Sequence, residues 1–588
     1  MERPQRFSLK NLFILISFAL IFFSCRKDEV VSPLGRIRLA IPEKILSLDP
    51  AQADDYYSAT ETSKTYEGLL RYDYVARPYR LVPAIAEKMP EVSADGKTIR
   101  IQLKSKIYFQ DDPCFKKTGE NSEGKGRTVT SADFIYSILR IADPKKNSPL
   151  WRSLDGKIAG LNDWRMLALS FGKADYSKSI EGLRAVDALT LEIRLTEPNR
   201  PFLNLLALPV TYVVPKEADD YYGQRIQKNP VGTGPYRLNR EASDLNSLLI
   251  WEANPGYRIE QVPVTESGFA ANQHAPLIPR IEVRVVKDES ERWRMFMSSE
   301  LDLIDLPKGE AKEVLTSGKD LLPTYQRKGY RLYKTPSFAL AYQAFNFLNP
   351  VLGKSKGVRQ ALSLTVQPES LIDLLYYGFA SPASVPIPPG LFTFAKPLNS
   401  PYRRFDLARA RALIRDAGYL EGEGFPALDY LDYGSASSSG VSPLADFLKK
   451  SLQAINVNLV VRSAEWETYL KLIRSHGAAI WSGVWRAEYP DPEAFFQAFY
   501  SRNISSGANE SAFKNAEYDA LYEKLMKEPG GPALEPIYRK LTEILIEECP
   551  WIWEIHPMHF TLVQPWVRNF VPHEFDGSSI RFWKVEPR

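Results

Sequence analysis

The sequence predicts an α/β protein with two lobes, and three observations lead to that prediction. At 588 residues, the chain exceeds the roughly 250–300 residues at which one hydrophobic core stops growing. Strand and helix patterns alternate in two separate stretches, one before and one after Pro336. No pattern of fixed period recurs, which argues against solenoids and propellers.

The first elements follow from alternation and stop signals near the start of the chain. Alternating apolar positions over 36–50 predict a strand that Pro50 ends. Apolar and aromatic residues at helical spacing over 59–73 predict a helix that stops at Gly68.

A hairpin and a capped helix come next. Residues 91–112 alternate on both sides of Asp95 and Gly96, which supply the positive-φ turn of a β-hairpin. Residues 128–146 predict an amphipathic helix that begins at a Thr or Ser cap and stops at Pro144.

The second half repeats the same order of elements. Residues 280–307 predict a strand, a helix and a strand, and 342–349 predict another strand. Asp406 is the expected cap of a helix over 405–419, and 447–473 predict helix, strand and helix. Two α/β lobes are therefore expected, although these patterns do not locate the crossing between them.

The N-terminus predicts export. Arg3, Arg6 and Lys10 precede an apolar run over 11–24 that ends at Cys25, which is the order of a secretory signal. The run is shorter than the roughly 20 apolar residues that a transmembrane helix needs. A cysteine directly after a small residue resembles a bacterial lipobox, so Cys25 is predicted to carry a lipid. A signal that is cleaved without lipidation and an uncleaved anchor stay open, because Phe22 stands where a lipobox usually has an aliphatic residue.

Composition and cysteine spacing narrow the function classes. The net charge of +4 is small for this length, so no nucleic-acid partner is expected. Cys114 and Cys549 are too far apart in sequence to form a CxxC pair. Two unpaired thiols, at least one of them buried, are predicted over a disulfide.

No pattern of residues points to catalysis or to a metal. Of the five histidines, only His556 and His559 lie close together, and Pro557 interrupts any helix that could present both. The sequence has no GxSxG elbow, no P-loop and no GxGxxG after a strand. We therefore expect a binding protein with no metal site and no cofactor, and not an enzyme.

One aromatic and acidic cluster, over 481–500, could hold a ligand. The apolar run 478–485 has the length of a strand, which places Glu488 where that strand gives way to a loop. A carboxylate beside Trp485 and Tyr489 suits a cationic group. A solvated loop acid beside core aromatics is the alternative at this point.

An ordered series of segments resembles a known family. The segments are SLDPAQADD, TYEGLLRYD, PAIAEKMPEVSADGKTIRIQLKSKIYFQDD, TVTSADFIYSILRIADPK, NPVGTGPYRL, VRQALSLTVQPESLIDLLYYGFASPASVPIPPG, FDLARARALIRDAGY and YPDPEAFF. In this order they resemble the large extracellular solute-binding proteins of peptide, dipeptide and nickel ABC importers, the oligopeptide-binding-protein family. The resemblance covers nearly all of the chain after about Arg36.

The resemblance implies a fold and a division of the chain. The fold is the two-lobed periplasmic-binding-protein (Venus flytrap) fold of the large class, with an additional domain in the first lobe. The implied division is 1–24 lipoprotein signal peptide, 25–33 tether, 34–66, 220–333 and 557–588 first lobe, 67–219 additional domain, and 334–556 second lobe.

The resemblance also implies partners and binding residues. A monomer, lipid-anchored outside the cytoplasm, captures a short peptide and delivers it to permease and ATPase subunits. Glu488, where the family more often has Asp, would pair with the ligand's α-ammonium beside Trp485, and the chain near Asp54 to Tyr57 would bond the peptide backbone. The predicted ligand-binding residues are Glu488, Trp485, Tyr489, Asp54 and Tyr56. A nickel complex, an opine or a glycoside as ligand, a chaperone or sensor role, and a hydrolase stay open as alternatives.

Overall fold

The computed structural model describes residues 35–116, 123–267, 269–433, 441–505 and 507–587. The predicted signal peptide, the tether and Cys25 lie outside the described residues. Cys114 and Cys549 are both free, and Cys549 is buried, which confirms the prediction of unpaired thiols.

The first sheet gathers strands that are distant in sequence. Its order is Arg36–Ile41, Arg280–Val285, Leu248–Ala253 and Tyr236–Leu238, with only the first pair parallel. The first strand ends at Ile41, so the prediction that it continues to Pro50 is wrong. Pro42 lacks the N–H that the ladder needs. Pro50 instead begins a short 3-10 helix capped by Asp49.

The first helix is Tyr56–Thr62, so the helix predicted to stop at Gly68 starts and ends earlier. Asp55 caps it by accepting the N–H of Ser58 at 2.9 Å. Gly68 has a different role, because a Cβ there would lie 2.4 Å from the carbonyl oxygen of Leu206. The glycine that resembled a helix stop is needed instead because two backbone segments approach closely there.

The region 91–222 builds a separate antiparallel sheet. Its order is Glu91–Val92, Thr98–Gln102, Thr190–Arg194 and Leu183–Asp187. The predicted hairpin is confirmed, with Gly96 at φ +69° in its turn. The predicted helix is also confirmed as Ser131–Ala142, with Thr130 and Asp133 forming a capping box. The other α-helices of this region are Leu161–Ser170, Phe202–Leu205 and Lys216–Tyr222.

An eight-stranded sheet has one long strand at its centre, Trp551–Val563, here called the crossing strand. Its N-terminal half pairs with Ala339–Phe345 and Ala380–Pro382. Its C-terminal half pairs with Leu303–Asp305 and Arg331–Pro336. The remaining strands are Ile480–Arg486, Leu428–Tyr433 and Leu459–Ala464. The crossing strand is thus shared by two groups of strands.

Helices cover the eight-stranded sheet, and the predicted helices are among them. The helix Leu407–Asp416 begins at Asp406, whose carboxylate accepts the N–H of Arg409 at 2.9 Å. The other α-helices after residue 223 are Glu289–Met297, Ala311–Val314, Pro323–Arg327, Lys356–Leu364, Pro368–Tyr376, Pro443–Gln453, Trp466–Arg474, Glu493–Phe496, Ala516–Lys527 and Leu534–Glu548.

A continuous hydrophobic core joins the region 91–222 to the eight-stranded sheet. One cluster of buried side chains contains Ile99 and Ile101 from the first of these and Leu340 and Trp481 from the second. The two parts therefore pack on each other, and a cavity opens beside this contact.

We expect the strand Ile480–Arg486 to tolerate no side chain at Gly483. A Cβ there would lie 2.4 Å from the ring of Tyr342, which is itself stacked on Trp551 at 3.7 Å between ring centroids. Gly483→Ala should lower the free energy of unfolding by about 1–3 kcal/mol through overpacking. Gly309→Ala is the matched control, because nothing lies within 4 Å of its Cβ position. Equal denaturation midpoints in urea for the two variants would contradict this account.

Candidate ligand site

The strand Ile480–Arg486, here called the site strand, carries the centre of the predicted site. Along one edge all seven residues pair with Ala339–Phe345, whereas on the other edge only Ile480 and Trp481 pair with Leu428–Tyr433. Residues 482–486 therefore have one edge without a strand partner among the described residues. Such an edge offers main-chain donors and acceptors to an added strand.

Glu488 follows the site strand, as predicted. Its side chain is 49% exposed. The Trp485 indole N–H donates to the carbonyl oxygen of Ala494 at 2.7 Å, which fixes the ring beside the loop. The loop acid and a rigid aromatic therefore lie together at the end of the strand.

A cavity of about 1560 Å³ lies between two walls. One wall is formed by residues 152–157 and 196–205, and the other by residues 474–527. Glu488, Trp485 and Tyr489 line it, whereas Asp54 and Tyr56 do not.

Asp54 reaches this cavity through Arg152. The Arg152 Nη2 lies 2.9 Å from Asp54 Oδ1 and 4.0 Å from Glu488 Oε1. The two predicted acids therefore share one guanidinium. Sequence reasoning missed Arg152, since nothing in its local sequence marks a residue that meets a partner 98 positions away.

Tyr56 lies outside the cavity but near the end of the site strand. Tyr56 as a whole residue is 55% exposed, and the guanidinium of Arg486 lies 5.9 Å from its ring centroid. Arg486 also pairs with Glu574 at 3.5 Å.

Tyr489 supports a buried acid. Its hydroxyl donates to one carboxylate oxygen of Glu493, and the hydroxyl of Tyr522 donates to the other. Burial raises the pKa of Glu493. Tyr489 thus presents its ring to the cavity while its hydroxyl is already engaged.

A buried ion pair holds the two walls together. Arg200 Nη1 and Nη2 lie 2.6 and 2.9 Å from the two carboxylate oxygens of Asp491, and both side chains are less than 15% exposed. The backbone N–H of Arg200 also donates to the carbonyl of Met526 at 3.1 Å. This fork-to-fork geometry is the strongest form of such a pair.

Glu510 is a second acid on the wall formed by residues 474–527. Burial raises the pKa of its carboxyl to about 7, and nearby Arg474 opposes the shift. Near neutral pH the group is therefore partly protonated and can either donate or accept a hydrogen bond.

The paired histidines of the sequence point to different partners. The ring nitrogens of His556 lie 3.1 Å from the carbonyls of Ala339 and Val385, and burial lowers its pKa to about 4. His559 pairs with Glu574 at 3.2 Å. Within the described ranges, no group of three or more His, Cys, Asp or Glu side chains could hold a metal ion.

Comparison with known proteins identifies the family. The sequence model described as bacterial extracellular solute-binding proteins, family 5 Middle, matches residues 80–507. The chain belongs to the family-5 bacterial extracellular solute-binding proteins. This membership agrees with the predicted extracytoplasmic location and with the prediction of a binding protein.

Two relatives match this solute-binding protein along most of their length. The chain is 26% identical over 538 residues to the probable deoxycholate-binding periplasmic protein YgiS of Escherichia coli strain K12, with 90% of this chain and 89% of that protein covered. It is 24% identical over 544 residues to di/tripeptide-binding protein 3 of Pseudomonas aeruginosa strain UCBPP-PA14, with 90% of each covered.

A solved family-5 structure confirms the fold. The periplasmic binding protein DppA from Helicobacter pylori, in complex with the peptide STSA, superposes with a TM-score of 0.70 at 21% identity, covering 94% of this chain and 98% of that one. The predicted two-lobed α/β periplasmic-binding-protein fold is therefore confirmed. No helix in the described part of this solute-binding protein is long and apolar enough to cross a membrane.

Breaking the pair between the walls should destabilise this solute-binding protein. Arg200→Met leaves Asp491 buried without its counter-charge, and we expect the free energy of unfolding to fall by about 3 kcal/mol. Arg194→Met is the control, because its pair with Glu181 has both side chains at least 56% exposed, and it should cost less than about 1 kcal/mol. Urea denaturation measures the free energy of unfolding of both variants. Equal decreases would show that the buried ion pair contributes no more to stability than the exposed one.

Proposed function

We propose that this protein is the substrate-binding subunit of an ABC importer and that its ligand is a short peptide held between two closing lobes. The observation that carries the proposal is the placement of Glu488 at the end of a strand with an unpaired edge, on the wall of a cavity of about 1560 Å³. One relative is named for binding di- and tripeptides, and a solved family structure holds a peptide. Permease and ATPase subunits are the expected partners of a monomeric receptor.

The site would recognise the parts that all peptides share. The carboxylate of Glu488 accepts the α-ammonium group, with Trp485 beside it. The unpaired edge of residues 482–486 bonds the peptide backbone as an added strand. Arg152 keeps its ion pair with Asp54, at 2.9 Å. The ammonium group of the ligand lies closer to the Glu488 carboxylate than Arg152 does, at 4.0 Å. Affinity then comes from main-chain and terminal groups, so side chains are free to vary.

The division of the chain is part of the proposal. The first lobe is 34–66, 220–333 and 557–588, with 67–219 as its additional domain, and the second lobe is 334–556. Support comes from the crossing strand, whose partners change around Pro557: Pro557 pairs with Ala380, and Met558 pairs with Pro336. Opening about these crossings would separate the two walls to admit a ligand, and closure would bring them together again around it.

Lipidation at Cys25 would hold the receptor beside its permease. The tether 25–33 allows a span of at most about 30 Å from the membrane surface, at roughly 3.3–3.6 Å per extended residue.

We expect Cys25→Ser to release the protein from membranes. Wild-type protein expressed with its signal should sediment with the membrane fraction and show the mass of an added diacylglycerol group. The variant should be soluble in the export compartment. Cys114→Ser is the control and should remain membrane-bound. Membrane association of Cys25→Ser without added lipid mass would favour an uncleaved anchor.

We expect Glu488→Ala to lower peptide affinity at least about tenfold, because a charge-assisted hydrogen bond to the ammonium is lost. Isothermal titration calorimetry with a free peptide and its N-acetylated form measures this. Acetylation should weaken binding to the wild type and make little difference in the variant.

Glu467→Ala is the matched control, since Glu467 is exposed on the helix Trp466–Arg474 and does not line the cavity. Unchanged affinity of Glu488→Ala would overturn the assigned role. Mass spectrometry of small molecules released from the purified protein tests the ligand class separately. A nickel complex, a glycoside or a steroid in place of peptides would overturn the peptide proposal and leave the receptor role intact.

A further inference from the structure

Glu510 is a carboxylate that lines the cavity and has a fixed backbone on both sides. Its neighbours Asn509 and Ser511 are fully buried. The side-chain amide of Asn509 donates to the carbonyl oxygen of Tyr500 at 3.1 Å, and the hydroxyl of Ser511 accepts the indole N–H of Trp551 at 2.7 Å. Glu510 itself is only partly buried. Its carboxyl group is therefore held at the cavity surface by a backbone that has little freedom to move.

The carboxylate of Glu510 has no partner within the described ranges. No group there donates a hydrogen bond to it, and no cationic nitrogen lies within 4.0 Å. Arg474 acts on its charge from beyond that distance. Because Arg474 is exposed, water screens much of that attraction.

Most other acids of the cavity are either partnered or exposed to solvent. They are Glu493 and Glu523, which are partnered, and Asp155 and Glu197, which are exposed. Glu488 is the acid assigned above to the ligand's amine. An acid that is partly removed from water without a counter-charge is unfavourable unless a ligand supplies that charge. Glu510 is thus suited to receive a second cationic group.

The packing around Trp551 places Glu510 near the middle of the site strand. The indole of Trp551, which is bonded to the residue after Glu510, stacks on the ring of Tyr342 at 3.7 Å between centroids. That ring lies against Gly483. Glu488 comes five residues later, or roughly 16 Å along an extended strand. A peptide that runs from Glu488 along the free edge would therefore carry a later side chain toward Glu510.

We propose that Glu510 selects peptides with a lysine or arginine after the first residue, by pairing with the cationic group of that side chain. This selection rests on the proposed function and narrows its ligand class to short basic peptides. The ligand's cation supplies the counter-charge that the protein lacks at this position, and it favours the ionised form of the carboxylate.

Calorimetry tests the proposal with tetra-alanine and with tetrapeptides that carry one lysine at the second, third or fourth position. At one or more of these positions, lysine should bind the wild type about tenfold more tightly than Nε-acetyllysine, which lacks the charge. In Glu510→Gln this difference should disappear, and Glu510→Asp should keep part of it. Glu197→Gln is the control, because Glu197 is an exposed acid on the facing wall, and it should preserve the whole difference.

Thermal unfolding without ligand separates recognition from a structural role. Because the carboxylate of Glu510 has no partner among the described residues, Glu510→Gln should unfold at the same temperature as the wild type or at a higher one. A large loss of stability would show that Glu510 holds the wall together and would overturn the inference.

The remaining outcomes are also decisive. If lysine and Nε-acetyllysine bind the wild type equally at all three positions, or if Glu510→Gln still distinguishes them, Glu510 does not select the side chain. Loss of the difference in Glu197→Gln alone would assign the selection to Glu197 instead. Binding of tetra-alanine without a preference for lysine would reject this inference and leave the proposed function intact. If the wild type binds none of these peptides, the proposed peptide ligand itself fails.

Discussion

The cavity exists because Arg200 and Asp491 join two parts of the chain that are 291 residues apart. Their bidentate contact is mostly buried, and it ties the region 91–222 to the loop that follows the site strand. The same loop carries Glu488 and Tyr489, so the contact that closes the cavity also positions its acidic wall. A solvent-exposed pair could not do this, since such pairs contribute little against the entropy of holding two long side chains.

Charge in the cavity is arranged in three ways that differ in function. Arg200 and Asp491 satisfy each other and contribute to the structure. Glu493 is buried but receives two tyrosine hydroxyls, which stabilise it without a cation. Glu488 shares Arg152 at 4.0 Å with Asp54. Of these three acids, Glu488 alone is incompletely satisfied and accessible, which is what an amine-binding group requires.

The sequence predicted those features whose causes are local. The Asp95 and Gly96 turn, the Asp406 cap and the strand that delivers Glu488 each follow from a few neighbouring residues. Two local signals gave wrong element bounds. Pro42 follows the end of the first strand, well before Pro50, and Gly68 does not end a helix but lies against the backbone of Leu206. Arg152 and Arg200 could not have been found from the sequence, since each acquires its role from a partner that only the folded chain brings close.

A ligand shifts the equilibrium between open and closed lobes only by the difference in its affinity for the two states. A ligand that contacts Glu488 alone touches one wall and gains little from closure. A ligand that contacts both walls gains its second contact only when the walls approach. Because Arg200 and Asp491 already stabilise that approach, a modest gain from the second contact is enough to move the population. On this argument, the selectivity of transport depends on bridging the walls more than on affinity for either one.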